Sequence, residues 1–349
     1  TTLFRSGMPR LTIRQHGASA SIPRHPIAGN LQKPEERKAN RGWTAAVARR
    51  NSQYLQRIDF ERVDGTPYAV TLTLPAWQME QVTPVVMHRL IDVMIKYLRR
   101  HGMLHFHWII EFTARRMPHI HMSVWMADRY EEWDRHLRQY IVWDNNESAV
   151  VSNVVVKWLE LTEAEGLHTS SNSQDVQLID GNEAWLVYIA KHGIRGVKHY
   201  QRALDNMPDE WRDGAGAMWG HDRKMPVADD SVLPMDMRAF HQFRREARKW
   251  CCAHACMIKD PHRRAKAIGQ ARRSNRCCRP ELSVVRPVSV WIPKDVTISI
   301  VKGLRSRGYM IGWDAYQWGV DELARLRDEG GSEERRRILG KSLMEMLRT

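Results

Sequence analysis

Apolar and polar positions along this chain recur with two periods, and the change from one to the other marks the elements. Tyr68-Ala-Val-Thr-Leu-Thr-Leu74 reads as a strand ended by Pro75. Met87, Leu90, Ile91, Met94 and Leu98 then fall at helical spacing, with Thr83 as N-cap, Pro84 in the first turn and Gly102 just past the end. Residues 103–126 predict a hairpin: β-formers run through Ile109, Ile110 and Phe112, a polar break spans Ala114 to Pro118, and alternation resumes at His119. Asp128 with Glu131 forms a capping box, which predicts a helix with Tyr130, Trp133, Leu137, Tyr140 and Ile141 as its buried stripe. On that reading the aromatics belong to a core and are not base-stacking platforms. Residues 150–161 and 175–179 read as two more strands, and 182–192 as a helix closed by Gly193.

Helices gathered on one face of a mainly antiparallel sheet give an α+β domain over residues 62–222. Before it, residues 1–61 read as a basic arm, irregular over the first forty residues and with a candidate helix in 43–60. After it, 223–349 reads as a basic, mainly helical region. Its expected helices are 235–266, 294–307, 314–328 and 333–348, with a strand in 283–292. Gly340-Lys341-Ser342 is a helix tail and not a phosphate loop, because Arg335 stands where the motif needs glycine.

Charge sharpens this division. Of 349 residues, 54 are Lys or Arg and 40 are Asp or Glu, a net charge of +14. Residues 1–62 hold 12 basic and 4 acidic side chains, and residues 238–279 hold 13 and 2, so the body between them is mildly acidic. Two basic flanks suit a polyanion: nucleic acid first, an anionic membrane surface second. No apolar run reaches the length of a membrane span. All five cysteines (Cys251, Cys252, Cys256, Cys277 and Cys278) fall in or beside the second basic segment. An odd count without a signal peptide predicts reduced thiols in a bacterial cytoplasm. Zinc held with His254 or His262 is the alternative, although the spacing matches no common zinc pattern.

Candidate chemistry sits on the hairpin. Strand side chains alternate faces, so His119 and His121 share one, and a turn centred near Arg115 puts Glu111 across from His119 on the same face. Two imidazoles and a carboxylate on one patch suit a divalent cation with mixed N/O ligands. His105 and His107 repeat the spacing without a turn-spaced carboxylate and serve as an internal control. Further on, Tyr188 and Lys191 lie three apart on the 182–192 helix and share a face. A phenol titrates near 10, so its attack at neutral pH needs a polarised electrophile or a stabilised phenolate.

Taken in order, Tyr68–Leu74, Glu111 with Pro118-His119-Ile120-His121, and Tyr188-Ile189-Ala190-Lys191 resemble the three motifs of HUH endonucleases. More narrowly they resemble the rolling-circle replication initiators of small plasmids and single-stranded DNA phages. The likeness covers about residues 66–222 and takes in the later stretch from Lys198-His199-Tyr200-Gln201 to Trp219-Gly220. It implies a five-stranded antiparallel sheet with flanking helices and Mg2+ or Mn2+ bound by His119, His121 and Glu111. Tyr188 would be the nucleophile and Lys191 its support. The implied activity is sequence-specific nicking and rejoining of single-stranded origin DNA through a 5′-phosphotyrosine, with host helicase and polymerase as partners. One departure stands out: some phage initiators carry two tyrosines a turn apart, whereas here Lys191-His192 follows and the next candidate is Tyr200. The alternatives are a single-tyrosine HUH transposase and a non-enzymatic DNA-binding protein whose histidines are structural.

Overall fold

The computed structural model describes residues 8–22, 42–181, 193, 195–212, 214–274 and 288–328. They fall into two compact units, one spanning residues 34–227 and the other combining 1–33 with 228–349. The expected helices at 182–192 and 333–348 lie outside the described residues, as do Tyr188, Lys191, Cys277 and Cys278.

In the second of these units, residues 8–22 are not part of an irregular arm. Strands β1 (Arg10–Arg14) and β2 (Gly17–Ser21) form a hairpin. It is flanked by β10 (Ser231–Pro234) and β11 (Val288–Trp291), in the order β10-β1-β2-β11. Short alternation in Leu11, Ile13, Ala18 and Ala20 carries this hairpin, and those side chains pack with Phe240, Phe243, Val290 and Leu304. The expected 235–266 helix is two helices, Met237–Cys256 and Pro261–Ser274. Asp260 lies between them and caps the second, accepting from Arg263 N at 2.5 Å. Helices Lys294–Ser306 and Trp313–Asp328 match the sequence pattern.

The unit at residues 34–227 holds the five-stranded antiparallel sheet. Its strands are β3 (Thr66–Leu72), β4 (Met103–Phe112), β5 (Pro118–Met126), β8 (Asp175–Leu178) and β9 (Trp219–His221), in the order β8-β3-β5-β4-β9. On one face Val70, Leu72, Trp108, Ile110, Ile120, Met122 and Val124 form the core. Helix α2 (Pro84–Arg100) supplies Met87, Leu90, Ile91, Met94 and Leu98 to it. Thr83 caps α2 by accepting from Val86 N, and Gly102 leaves it at φ 89°, a backbone setting that glycine reaches without strain. Helix α1 (Ala45–Leu55) precedes the sheet, and just before it Trp43 donates its indole N–H to the Ile110 carbonyl at 2.8 Å.

Two expectations are corrected here. Residues 150–161 are not a strand but part of helix α3 (Glu147–Ala164), capped by Asn146, whose Oδ1 accepts from Ala149 N at 2.9 Å. The β-branched valines favour a strand by only tenths of a kcal/mol per residue. Burying Val150, Val154, Trp158 and Thr162 on one helical stripe outweighs that. The fifth strand is instead β9, whose Gly220 lies so close to the Trp108 ring that a Cβ would sit 2.7 Å from it.

The helix expected after Asp128 is instead a hairpin, β6 (Arg129–Asp134) with β7 (Gln139–Asp144). Asp134 Oδ1 accepts from the backbone N–H groups of His136 and Leu137, and Arg138 takes a left-handed φ of 53°. That turn closes the chain where a helix would have continued. Its aromatics are therefore not core: Trp133 and Tyr140 pair across the strands at 49% and 64% exposure.

Candidate metal centre

Pairing of β4 with β5 sets Glu111 directly across from His119, and pairing of β5 with β3 sets His121 across from Thr71. All four side chains stand on the face opposite the core. Glu111 is fully buried and His119 nearly so. One donor atom from each of Glu111, His119 and His121 lies within 4.8 Å of the others, the only such group of His, Cys, Asp or Glu among the described residues. The hairpin geometry read from the sequence is thus the geometry found.

The two imidazoles meet edge to face, with His119 Nε2 2.9 Å from His121 Nε2. Thr71 Oγ1 lies 3.1 Å from His121 Nδ1 and orients that ring so that its other nitrogen faces the cluster. Glu111 Oε2 is 3.8 Å from His121 Nε2. Two arginines that the sequence reading did not single out hold the carboxylate. Arg195 Nη1 donates to Oε2, and Arg202 Nε donates to Oε1 at 2.6 Å. Arg202 has its guanidinium carbon 3.9 Å from the centre of the Trp43 ring and also donates to the Arg195 carbonyl. Burial pushes the Arg202 pKa below its ordinary value, and the Glu111 charge pulls the other way.

The residues fit a divalent cation. Nitrogen donors from two histidines and an oxygen donor from a carboxylate form the mixed set that such ions take, and a carboxylate oxygen accepting from arginine keeps further lone pairs for an ion. The control pair is differently placed. His107 Nε2 meets Asn51 Oδ1 at 2.8 Å, and His105 Nδ1 meets Asp222 Oδ2 at 3.0 Å, so each has a structural partner. Tyr200 is 54% exposed, with its ring 4.9 Å from that of His199. On the Met237–Cys256 helix, Cys251, Cys252 and Cys256 are free thiols, and burial pushes Cys251 up to about 11. Among the described residues no helix is long and apolar enough to cross a membrane.

Arg195 and Arg202 escaped the sequence reading because buried and exposed arginines look alike in a basic chain. Thr71 was legible only as one position of a strand.

A family model for replication-associated proteins of the ORF2 type matches residues 67–161, from β3 through the hairpin into α3. The replication-associated protein of Pseudomonas phage Pf3 is 30% identical over 270 residues, covering 77% of this chain and 87% of its own length. Two Xylella fastidiosa proteins named for replication are also similar. The one from strain 9a5c is 27% identical over 318 residues, with 87% of this chain and 99% of its own length covered. The one from strain Temecula1 is 28% identical over 282 residues, with 77% and 94% covered. No solved structure matches. With a buried two-histidine, one-carboxylate cluster inside the matched segment, the chain belongs to the ORF2-type family of phage and plasmid replication-associated proteins.

Proposed function

We propose that this protein initiates rolling-circle replication by nicking one strand of origin DNA and later rejoining it. The observation that carries the reading is the convergence of Glu111, His119 and His121 on one sheet face of a replication-family chain. These three side chains would hold Mg2+ or Mn2+. A bound divalent ion there would polarise a non-bridging oxygen of the scissile phosphate, which is typically worth several kcal/mol of transition-state stabilisation.

The chain's own residues do the rest. The Tyr188 oxygen gives up its proton and attacks phosphorus, its bond to phosphorus forms as the bond to the 3′ oxygen breaks, and the departing strand takes up a proton and leaves as a 3′ hydroxyl. Lys191, three positions along the chain from Tyr188, places a positive charge near the phenolate or the phosphate. The phosphotyrosine keeps the energy of the broken phosphodiester, so the 3′ hydroxyl of a second strand can reverse the step without ATP. The released 3′ hydroxyl serves a host polymerase, and the basic segments hold the DNA backbone.

The test is incubation with single-stranded origin oligonucleotides and Mg2+ or Mn2+, followed by denaturing electrophoresis and peptide mapping. A covalent adduct at Tyr188 is expected. Binding with no cleavage under any divalent metal would favour a purely DNA-binding protein.

A further inference from the structure

We infer that Gln201 is a further protein ligand of the proposed metal centre, through its side-chain carbonyl oxygen. The inference rests on that centre and adds a neutral oxygen donor to it. Gln201 sits in the short turn Tyr200–Arg202 at 8% exposure. Its neighbour Arg202 is anchored on Glu111, and His199 Nδ1 accepts from the Gln201 N–H. The side chain is thereby aimed at the sheet face that carries the histidines.

Among the described residues, Gln201 Oε1 is enclosed and has no hydrogen-bond partner. Burying an amide oxygen without one costs about 1–3 kcal/mol, which disfavours the amide orientation that puts Oε1 there. Gln201 Nε2 stands 3.5 Å from His119 Nε2, beyond the length of an ordinary hydrogen bond. The two ends of an amide exchange by a half-turn of its last torsion, which brings Oε1 to face His119 Nε2. Two lone-pair atoms facing each other repel unless a cation lies between them.

The spacing suits one. Ligand atoms each about 2.1 Å from a single ion stand roughly 3.0–3.4 Å apart in octahedral or tetrahedral arrangements. The His119–His121 nitrogen separation of 2.9 Å and the 3.5 Å from His119 Nε2 to the near end of the Gln201 amide, where Nε2 stands, bracket that range, while the His121–Glu111 separation is 3.8 Å. Gln201 is therefore as well placed as the carboxylate. Glu111, held by Arg195 and Arg202, balances charge behind the donors as well as lending an oxygen.

The experiment is a Mn2+ titration of the full chain without DNA, read from the electron paramagnetic resonance signal of free Mn2+. It compares the wild type with Gln201→Met, Gln201→Glu and His119→Ala. Gln201→Met keeps the volume and removes the oxygen, so affinity should fall at least tenfold while the thermal melt in chelator stays unchanged. Gln201→Glu keeps an oxygen and should bind as tightly as wild type or more tightly. Wild-type affinity in Gln201→Met overturns the assignment. So does an equal loss in both Gln201 variants, which would mean that the N–H end and not the oxygen matters. If Gln201→Met melts early, Gln201→Glu decides alone: a tenfold loss overturns the ligand role and undiminished affinity supports it. A wild type without a Mn2+ site, or His119→Ala that keeps it, overturns the metal centre itself and Gln201 with it.

Discussion

Arg202 Nε lies 2.6 Å from Glu111 Oε1, and neither side chain exposes any surface to solvent. Removing one member of a buried ion pair strands the other, at a cost of about 3–5 kcal/mol. Arg202→Met should therefore lower the stability of the unit at residues 34–227 by that order in urea unfolding. The retained Arg195 contact should keep the loss near the lower end. An unchanged urea midpoint would remove Arg202 from the structure's support.

The metal ligands should separate from the control histidines. His119→Ala and His121→Ala should abolish cleavage and Mn2+ binding while sparing the fold, because the core face of the sheet is untouched. His105→Ala should keep cleavage. His107→Ala should keep it as well, but at a stability cost of about 1–3 kcal/mol, since buried Asn51 loses its partner. Loss of cleavage in folded His105→Ala, as complete as in the ligand variants, would mean the wrong pair has been chosen.

Tyr188→Phe removes one oxygen and should eliminate the covalent adduct. Lys191→Ala should slow adduct formation without preventing it, most visibly at neutral pH. Tyr200→Phe should leave the first nick intact. A normal rate of adduct formation in Tyr188→Phe, or DNA mapped to another residue, refutes the nucleophile.

Acid stability should report on Asp222. Burial alone would raise its pKa, but hydrogen bonds from His105, the Lys224 backbone and Arg99 outweigh that, and the folded pKa is lowered from 3.8. A depressed carboxylate pKa stabilises the fold above the unfolded value, and the contribution is lost as pH falls through the folded one. Asp222→Asn should thus be less stable than wild type at pH 6, and the gap should narrow below about pH 4. A gap that stays constant from pH 6 to 3 would contradict this.

DNA affinity should reside partly in the second basic segment. Neutralising Arg245, Arg248 and Lys249 should flatten the dependence of log K on log salt by up to nearly one unit per lost phosphate contact on duplex DNA. Arg244 is left out because it is buried, with its guanidinium 5.5 Å from the Phe240 ring centre. Deleting residues 1–40 is no clean test either, since it removes β1 and β2 from their sheet. An unchanged slope would put the DNA path elsewhere.

By itself, the sequence determined the elements whose signals are local. These include the capped α2, the hairpin of β4 and β5, and the face shared by Glu111, His119 and His121, because strand alternation and turn length leave one register for the three. Tertiary structure decided what local signals balance or hide. The valine run of α3 has strand propensity, yet one buried stripe made it a helix, and the stretch after Asp128 has helical spacing, yet the Asp134 turn made it a ribbon. The short strands β1 and β2 gain their stability from β10 and β11, more than two hundred residues away in the chain. The Arg195 and Arg202 clamp and the orphaned oxygen of Gln201 exist only through burial, which places charge and amide beside a carboxylate and a histidine far apart in sequence. Desolvation is a property of position in the fold, and no spacing rule along the chain encodes it.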